Sequence, residues 1–324
     1  MSGRIDMESH IGALLDGTLA GDEAKSFLNG LDISRITPHQ LAGAVDAVMG
    51  RVKPFPTHAD ALDCCGTGGD RRSTYNISTA AAIVVAARGV KVAKHGNRAV
   101  TSQSGSADVL EALGMYTNIP PKQSAKMLEE HGICFLYAPV FHSGFARVAS
   151  IRKAIGRRTI FNLLGPLCNP ARVKRQLIGV FAPEYCALVA ETCQLLGRAQ
   201  VMVVHGDDGT DELSITGNTH VAHLYNNTIL YATFRPQDGG LTPQDGRALV
   251  GGNANQNAQA LRDVLRGLDS PYADAVMLNA AAMLMLADKA ATLEDGVALA
   301  RNAIARGDAY RKLDAIIEAS IPHD

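Results

Sequence analysis

Residues that could do chemistry together fall in two short stretches far apart in the chain. The first is a glycine-rich turn, Asp63-Cys64-Cys65-Gly66-Thr67-Gly68-Gly69-Asp70, and the second a carboxylate pair, Asp211-Glu212, a few residues after the apolar run Val201-Met202-Val203-Val204. Glycine amides can close on phosphate oxygens because no Cβ stands in the way. Adjacent carboxylates can hold the Mg²⁺ that neutralises those oxygens. Together the two stretches point to a metal-assisted diphosphate site. Taken singly, each has an ordinary alternative: a tight turn with a helix cap for the glycines, and a solvated acidic loop for Asp207, Asp208, Asp211 and Glu212.

Neighbouring residues strengthen the joint reading. Ser73-Thr74-Tyr75-Asn76-Ile77-Ser78-Thr79 follows the glycine turn and opens an alanine-rich helix, whose free amides and dipole would add to an anion cradle. A carboxylate at Asp70 would repel an anion unless it held a sugar hydroxyl or a metal. A second strand leads into Lys94-His95-Gly96-Asn97-Arg98, then into hydroxyl-bearing residues up to Ser106 and another helix start. Cation, glycine, amide and hydroxyls thus gather at the carboxyl end of a strand, the edge where open α/β sheets bind ligands. His95 by itself reads as a packed ring, since no sequence neighbour would make it a base. Arg152 lies in the densest basic stretch, residues 147–158, whose interleaved apolar residues imply a half-buried helix. One guanidinium there could take a carboxylate through two bonds.

Elements that would position these groups are readable from periodicity. Residues 11–19 and 24–31 carry helical spacing, and Thr37-Pro38-His39-Gln40 is a capping box with proline at the first helical position and Gly50 as a stop. From residue 61 short apolar runs at 62–65, 90–93, 133–137, 177–181 and 201–204 alternate with helical stretches, among them 78–88, 106–113 and 121–131. That alternation predicts a mainly parallel sheet covered on both faces. Residues 220–225 and 228–234 flank Asn226-Asn227 as an antiparallel hairpin. Residues 147–170 mix helical spacing with Gly156, Gly165, Pro166 and Pro170, and are expected to rejoin the N-terminal helices. The fold class is therefore α/β.

Composition bounds the rest. A chain of 324 residues with 47% apolar content can bury a large core, and a net charge of −1 lacks the basic excess of a nucleic-acid binder. Six cysteines with no CxxC pair predict free thiols and a reducing cytoplasm. The N-terminus does not resemble a secretory signal, and the apolar run at 273–287, interrupted by Asp274 and Asn279, reads as a buried helix rather than a membrane span.

In order along the chain, Gly66-Thr67-Gly68-Gly69-Asp70, Asn76-Ile77-Ser78-Thr79, Lys94-His95-Gly96-Asn97-Arg98, Arg158-Thr159-Ile160-Phe161-Asn162-Leu163-Leu164-Gly165-Pro166-Leu167 and Asp208-Gly209-Thr210-Asp211-Glu212 resemble the anthranilate phosphoribosyltransferases, over about residues 12–313. The resemblance implies a small all-helical domain, residues 1–61 rejoined by part of 147–171, hinged to a larger α/β domain of residues 62–324 with a mainly parallel central sheet. It implies transfer of phosphoribosyl from 5-phosphoribosyl 1-diphosphate to the amine of anthranilate, with Mg²⁺, as the second step of tryptophan biosynthesis from chorismate. Donor-binding residues would be Gly66, Gly69, Asp70, Thr74, Asn76, Ile77, Ser78, Thr79, Lys94, His95, Gly96, Asn97, Ser102 and Ser106. Gly66, Asn97, Ala138, Pro139, His142 and Arg152 would meet the acceptor, Arg152 through its carboxylate. Two Mg²⁺ ions would be held, one by Ser78 and Glu212 and one by Asp211 and Glu212.

The resemblance further implies a homodimer through the helical domain, while the charge balance and the interrupted apolar run predict neither nucleic acid nor membrane as partner. No side chain is expected to act as a nucleophile, because an oxocarbenium-like transition state asks for positioning and charge stabilisation. Two positions depart from the family pattern: Arg71 replaces a common glycine, and Ser143-Gly144-Phe145 follow His142 where a proline-led segment is commoner. Competing expectations are a pyrimidine nucleoside phosphorylase-like enzyme and a nucleic-acid-binding paralogue without transferase activity.

Overall fold

The computed structural model describes residues 2–322 apart from 59, 70, 71 and 100–102, so Asp70, Arg71 and Ser102 lie outside the described residues. Three helices come first: α1 (Ser2–Asp16), α2 (Gly21–Gly30) and α3 (Pro38–Met49). At the start of α3 the Gln40 amide N–H donates to Thr37 Oγ1 at 3.3 Å, and the Thr37 N–H donates back to Gln40 Oε1 at 3.0 Å. That reciprocal pair satisfies two of the amides a helix start leaves open, and Pro38 gives up none.

Strands and helices then alternate: β1 (Leu62–Gly66), α4 (Ile77–Ala87), β2 (Val92–Gly96), α5 (Ser106–Ala112), α6 (Pro121–His131) and β3 (Ile133–Tyr137). Next come α7 (Ala138–Phe141), α8 (Phe145–Ile155), α9 (Phe161–Leu167), β4 (Arg175–Gly179), α10 (Tyr185–Leu195), β5 (Gln200–Gly206) and the hairpin β6 (Thr219–Tyr225) and β7 (Thr228–Phe234). Both hairpin-turn residues, Asn226 and Asn227, have positive φ (47° and 58°), a conformation asparagine tolerates and a tight two-residue hairpin needs. Four helices close the chain: α11 (Ala254–Leu265), α12 (Pro271–Leu286), α13 (Leu293–Ala305) and α14 (Asp308–Ser320). Among the described residues no helix is long and apolar enough to cross a membrane.

The sheet has the order β3-β2-β1-β4-β5-β6-β7, parallel from β3 to β5 and antiparallel beyond. Alternation along the strands divides the core. Leu62, Cys64, Leu177, Met202 and Val204 pack with α4 and the C-terminal helices, while Ile178, Val201, Val203, Ala222 and Leu224 pack with α1, α3, α9 and α10. Each large apolar side chain so buried stabilises by roughly 1.5–3 kcal/mol, which is what holds helices of mixed propensity on the sheet. Successive strands run from β1 outward to β3, and the chain then returns to lay β4 on the other side of β1. The crevice at the carboxyl ends of β1 and β4 is therefore the switch point of the sheet.

Residues 147–170 form most of α8 and all of α9. The Arg147 guanidinium donates to the carbonyls of Leu15 and Asp16, Arg157 donates to Asn29 O, and Val148, Leu163 and Leu164 share a core with α1–α3. Several strand bounds differ from expectation, and two have a readable cause. β2 begins later and continues through Lys94, His95 and Gly96, which pair with Phe135, Leu136 and Tyr137. The polar residues there looked like the turn after a strand, yet Lys94 and His95 are buried. β4 ends at Gly179, two residues early, because another loop crosses its end.

Candidate functional site

The loop after β5 sorts its four acids. Asp207 faces outward to His220 at 2.8 Å. Asp208 is spent inside the loop, accepting from the hydroxyls of Thr210, Ser214 and Thr216. Burial works to raise its pKa, but those hydroxyls hold it below the ordinary carboxylate range. The other two turn back over the switch point. Asp211 Oδ2 accepts from the Gly68 amide at 2.7 Å, across 143 residues of sequence, and Glu212 Oε1 accepts from the Ser78 amide at 3.3 Å, at the start of α4.

This closeness explains two glycines. A Cβ at Gly66 would strike the Asp211 carboxylate, and one at Gly179 would strike its backbone carbonyl. Glycine at the ends of β1 and β4 thus admits the acidic loop, and the Thr67 amide ties the turn to Gly179 O at 2.9 Å. Gly68 and Gly69 both have positive φ, which carries the turn back over the strand ends. Sequence reasoning assigned the glycine amides to phosphate alone, whereas here the Gly68 amide already serves Asp211.

Lys94 stands beneath the cradle, 4% exposed, and donates to Cys64 O at 2.7 Å and to Ser78 Oγ at 3.2 Å. Burial disfavours its ammonium, but the neighbouring carboxylates of Asp63 and Glu212 raise its pKa above the usual lysine value. Asp63, wholly buried, accepts from the His95 amide at 3.0 Å and Gln176 Nε2 at 3.2 Å, and burial raises its own pKa. Neither Asp63 nor Gln176 was singled out from the sequence. The available signal was a carboxylate inside an apolar run.

The remaining residues expected on the donor side lie around this floor. Thr79 and Ile77 are buried in the first turn of α4, and Thr74 forms a β-bridge with Val250. Gly96 leaves room for Ser106 Oγ and the Phe135 ring. The Asn97 carbonyl accepts from Ser106 Oγ and the Ala107 amide, both at 3.2 Å. Arg98 is no plain solvated charge: it donates to Tyr137 OH, Asp108 and Glu111, pinning the loop before α5.

A row of rings leaves the cradle on the other side. His95 and His142 meet edge to face with centroids 5.1 Å apart; His142 and Phe145 are 5.3 Å apart, Phe145 and Phe161 5.8 Å, and the Arg152 guanidinium sits 5.7 Å from the Phe161 centroid. Burial depresses the pKa of His95 to about 4 and of His142 to about 3, so both rings are neutral near pH 7. Burial also lowers the pKa of Arg152, and no acid among the described residues offsets it. Buried Ala138 and exposed Pro139 begin α7, directly after β3. Arg158 reaches back from the segment after α8, stacking on Phe181 at 4.0 Å and donating to Gly69 O.

Two neighbouring carboxylates and the Ser78 hydroxyl are hard oxygen donors, which suit Mg²⁺. Among the described residues no cluster of three or more acidic, histidine or cysteine ligands forms a closed cage.

Fold and site together define a glycosyl transferase of the α/β type. Residues 58–310 match the family described as "Glycosyl transferase family, a/b domain". The chain is 45% identical over 308 residues to the anthranilate phosphoribosyltransferase of Rhodopseudomonas palustris, covering 95% of this chain and 91% of that one. Crystallographic relatives agree: the enzyme of that name from Thermus thermophilus superposes with a TM-score of 0.93 at 40% identity, covering 98% and 95% of the two chains. The Saccharomyces cerevisiae enzyme, solved in complex with PRPP and Mg, superposes with a TM-score of 0.88 at 29% identity, covering 98% and 93%. Another structure of the yeast enzyme holds 4-fluoroanthranilate, with a TM-score of 0.86 at 28% identity and the same coverage. The chain belongs to the anthranilate phosphoribosyltransferases within that glycosyl transferase family.

Proposed function

We propose that this chain transfers phosphoribosyl from 5-phosphoribosyl 1-diphosphate to the amine of anthranilate and releases diphosphate, in a Mg²⁺-dependent reaction of tryptophan biosynthesis. The observation that carries the reading is the closure of Asp211 on the Gly68 amide and of Glu212 on the Ser78 amide, at the switch point of the sheet. Acids this close to an anion cradle repel a diphosphate unless a divalent cation lies between them. Mg²⁺ would supply charge neutralisation for the departing diphosphate. Two ions are proposed, with Ser78, Asp211 and Glu212 as their protein ligands.

On the donor side Gly66, Gly69, Asp70, Thr74, Asn76, Ile77, Ser78, Thr79, Lys94, His95, Gly96, Asn97, Ser102 and Ser106 hold the phosphoribosyl diphosphate. Lys94 keeps its proton and fixes Ser78, rather than acting as a base. On the acceptor side Arg152 takes the anthranilate carboxylate, supported by a half-buried guanidinium to which no acid of the described residues responds. His142, Ala138 and Pro139 flank the ring, and Gly66 and Asn97 border the amine. The anomeric carbon–oxygen bond breaks with its electron pair passing to diphosphate, the amine nitrogen bonds to that carbon, and the acidic arylammonium then loses its proton. Positioning suffices, and no residue serves as a nucleophile.

Helices α1–α3 with α8 and α9 are proposed as a helical domain that moves on a hinge against the α/β domain and forms a homodimer, in a cytoplasmic enzyme. The carboxylate pair, and an Arg152 that meets no acid among the described residues, favour this reading over a nucleoside phosphorylase, whose substrates call for neither. Loss of anthranilate fluorescence on adding donor and Mg²⁺ tests it, with each component omitted in turn. Consumption that persists without Mg²⁺, or no consumption with all three present, would refute it.

A further inference from the structure

A row of amides links the donor loop to a helix far along the chain. The Gly252 N–H donates to Asn257 Oδ1 at 2.8 Å, Asn257 Nδ2 donates to Asn76 Oδ1 at 3.0 Å, and Asn76 Nδ2 donates to Ser104 O at 3.3 Å. Asn257 is 2% exposed, in the first turn of α11, and both of its amide atoms are used within this row. The two ends of the row are backbone groups whose polarity is fixed, a peptide N–H at Gly252 and a peptide carbonyl at Ser104. Neither side-chain amide can therefore flip without losing a hydrogen bond and setting like atoms face to face.

The surroundings hold the row rigid. The Tyr75 amide donates to Leu249 O at 3.0 Å and the Gly251 amide to Ser73 O at 2.8 Å, so the loop before α11 runs beside the donor loop. Tyr272 stacks on Tyr75 with centroids 4.6 Å apart and donates its hydroxyl to the Asn76 carbonyl at 3.2 Å. A Cβ at Gly251 would lie 2.8 Å from Asn257 Oδ1 and 3.1 Å from the Tyr75 nitrogen, so glycine is what lets the two loops approach.

We infer that Asn257 is a positioning residue for the donor: it fixes the Asn76 amide with its oxygen inward and its NH₂ toward the site, so that the phosphoribosyl donor's oxygens meet an N–H. In the flipped orientation Asn76 would present a carbonyl oxygen to an anion. The inference rests on the function proposed above and adds a residue with no ligand contact of its own. Asn257 acts through Asn76.

Asn257→Asp is nearly isosteric and keeps the acceptor for the Gly252 N–H, but it cannot donate to Asn76. It is expected to weaken binding of phosphoribosyl diphosphate about tenfold, measured by calorimetry with Mg²⁺ and no acceptor, while KM for anthranilate stays within about twofold. In an Asn76→Ala background the same substitution should add little. Equal losses in the two backgrounds, or unchanged donor affinity in Asn257→Asp, would overturn the inference, the former because a carboxylate would then be acting directly on the anion. A merely structural Asn257 would lower the melting temperature and leave donor affinity alone. Should Asn257→Asp fail to fold, Asn257→Ala takes its place in the same cycle. Wild-type protein that consumes no anthranilate would end the functional reading instead, so the two failures are separable.

Discussion

The proposed donor cradle and the proposed acceptor row are built on opposite principles. Around the cradle, charged and amide groups are matched within the protein: Asp211 with Gly68, Glu212 with Ser78, Lys94 with Cys64 and Ser78, Asp63 with His95 and Gln176, Asn257 with Asn76, while the Thr67 and Thr79 hydroxyls find no partner among the described residues. Along the row, rings touch rings, and Arg152 lies half-buried on Phe161 with no acid among the described residues to answer it. A site that must hold a highly charged, multiply contacted diphosphate ester gains from preorganised dipoles. A flat acceptor with one charged group needs a slot and a single cation. Errors at the cradle should therefore damage fold and metal response together, whereas errors at the row should change one substrate constant.

The largest effect is expected at Gly179, where even a methyl group meets the Asp211 backbone. Gly179→Ala should cost about 3 kcal/mol in urea unfolding and abolish detectable turnover. Near-native stability and activity there would show that the acidic loop can move away freely. Asp211→Asn combined with Glu212→Gln leaves the shape of the loop intact but removes its charge. We expect kcat/KM to fall about a thousandfold with a lost or displaced Mg²⁺ optimum, and a wild-type metal response would reduce the pair to a surface feature.

Arg152→Ala should act on the row alone, raising KM for anthranilate about 10- to 100-fold while donor affinity by calorimetry holds. Equal loss of donor affinity would erase the contrast between the two regions. The smallest effect concerns pH. His95 and His142 fall from the ordinary 6.5 to about 4 and about 3, so below about pH 6.5 the unfolded chain takes up protons that the folded chain refuses. Their contribution to stability is present above 6.5, declines as pH falls, and levels off near 3, with Asp63 opposing in the acid range because its pKa is raised. His142→Asn should flatten part of the slope of urea midpoint against pH, and an unchanged slope would mean that His142 protonates in place.

Much of the frame was legible because it is local. The capping box at Thr37 with its stop at Gly50, the Asn226-Asn227 turn, and the apolar runs of β1, β3 and β5 each express a preference satisfied within a few residues. Where a strand carried polar residues, as β2 does at Lys94 and His95, the pattern understated it, since the partners that bury them come from β1 and α4. The glycine turn and the carboxylate pair were visible as residue types, and the fold brings them within hydrogen-bond distance of each other.

From its residue order alone this chain determines many of its helices, most strand positions and the chemical kinds of its candidate site, because periodicity, caps and side-chain type act over short range. Tertiary structure alone decided which acids of the 207–212 loop reach the cradle, why Gly179 must be glycine, and that Asn257 faces Asn76 across 181 residues of chain. Those pairings follow from laying β4 beside β1, which brings distant loops to one sheet edge. No short-range preference records that.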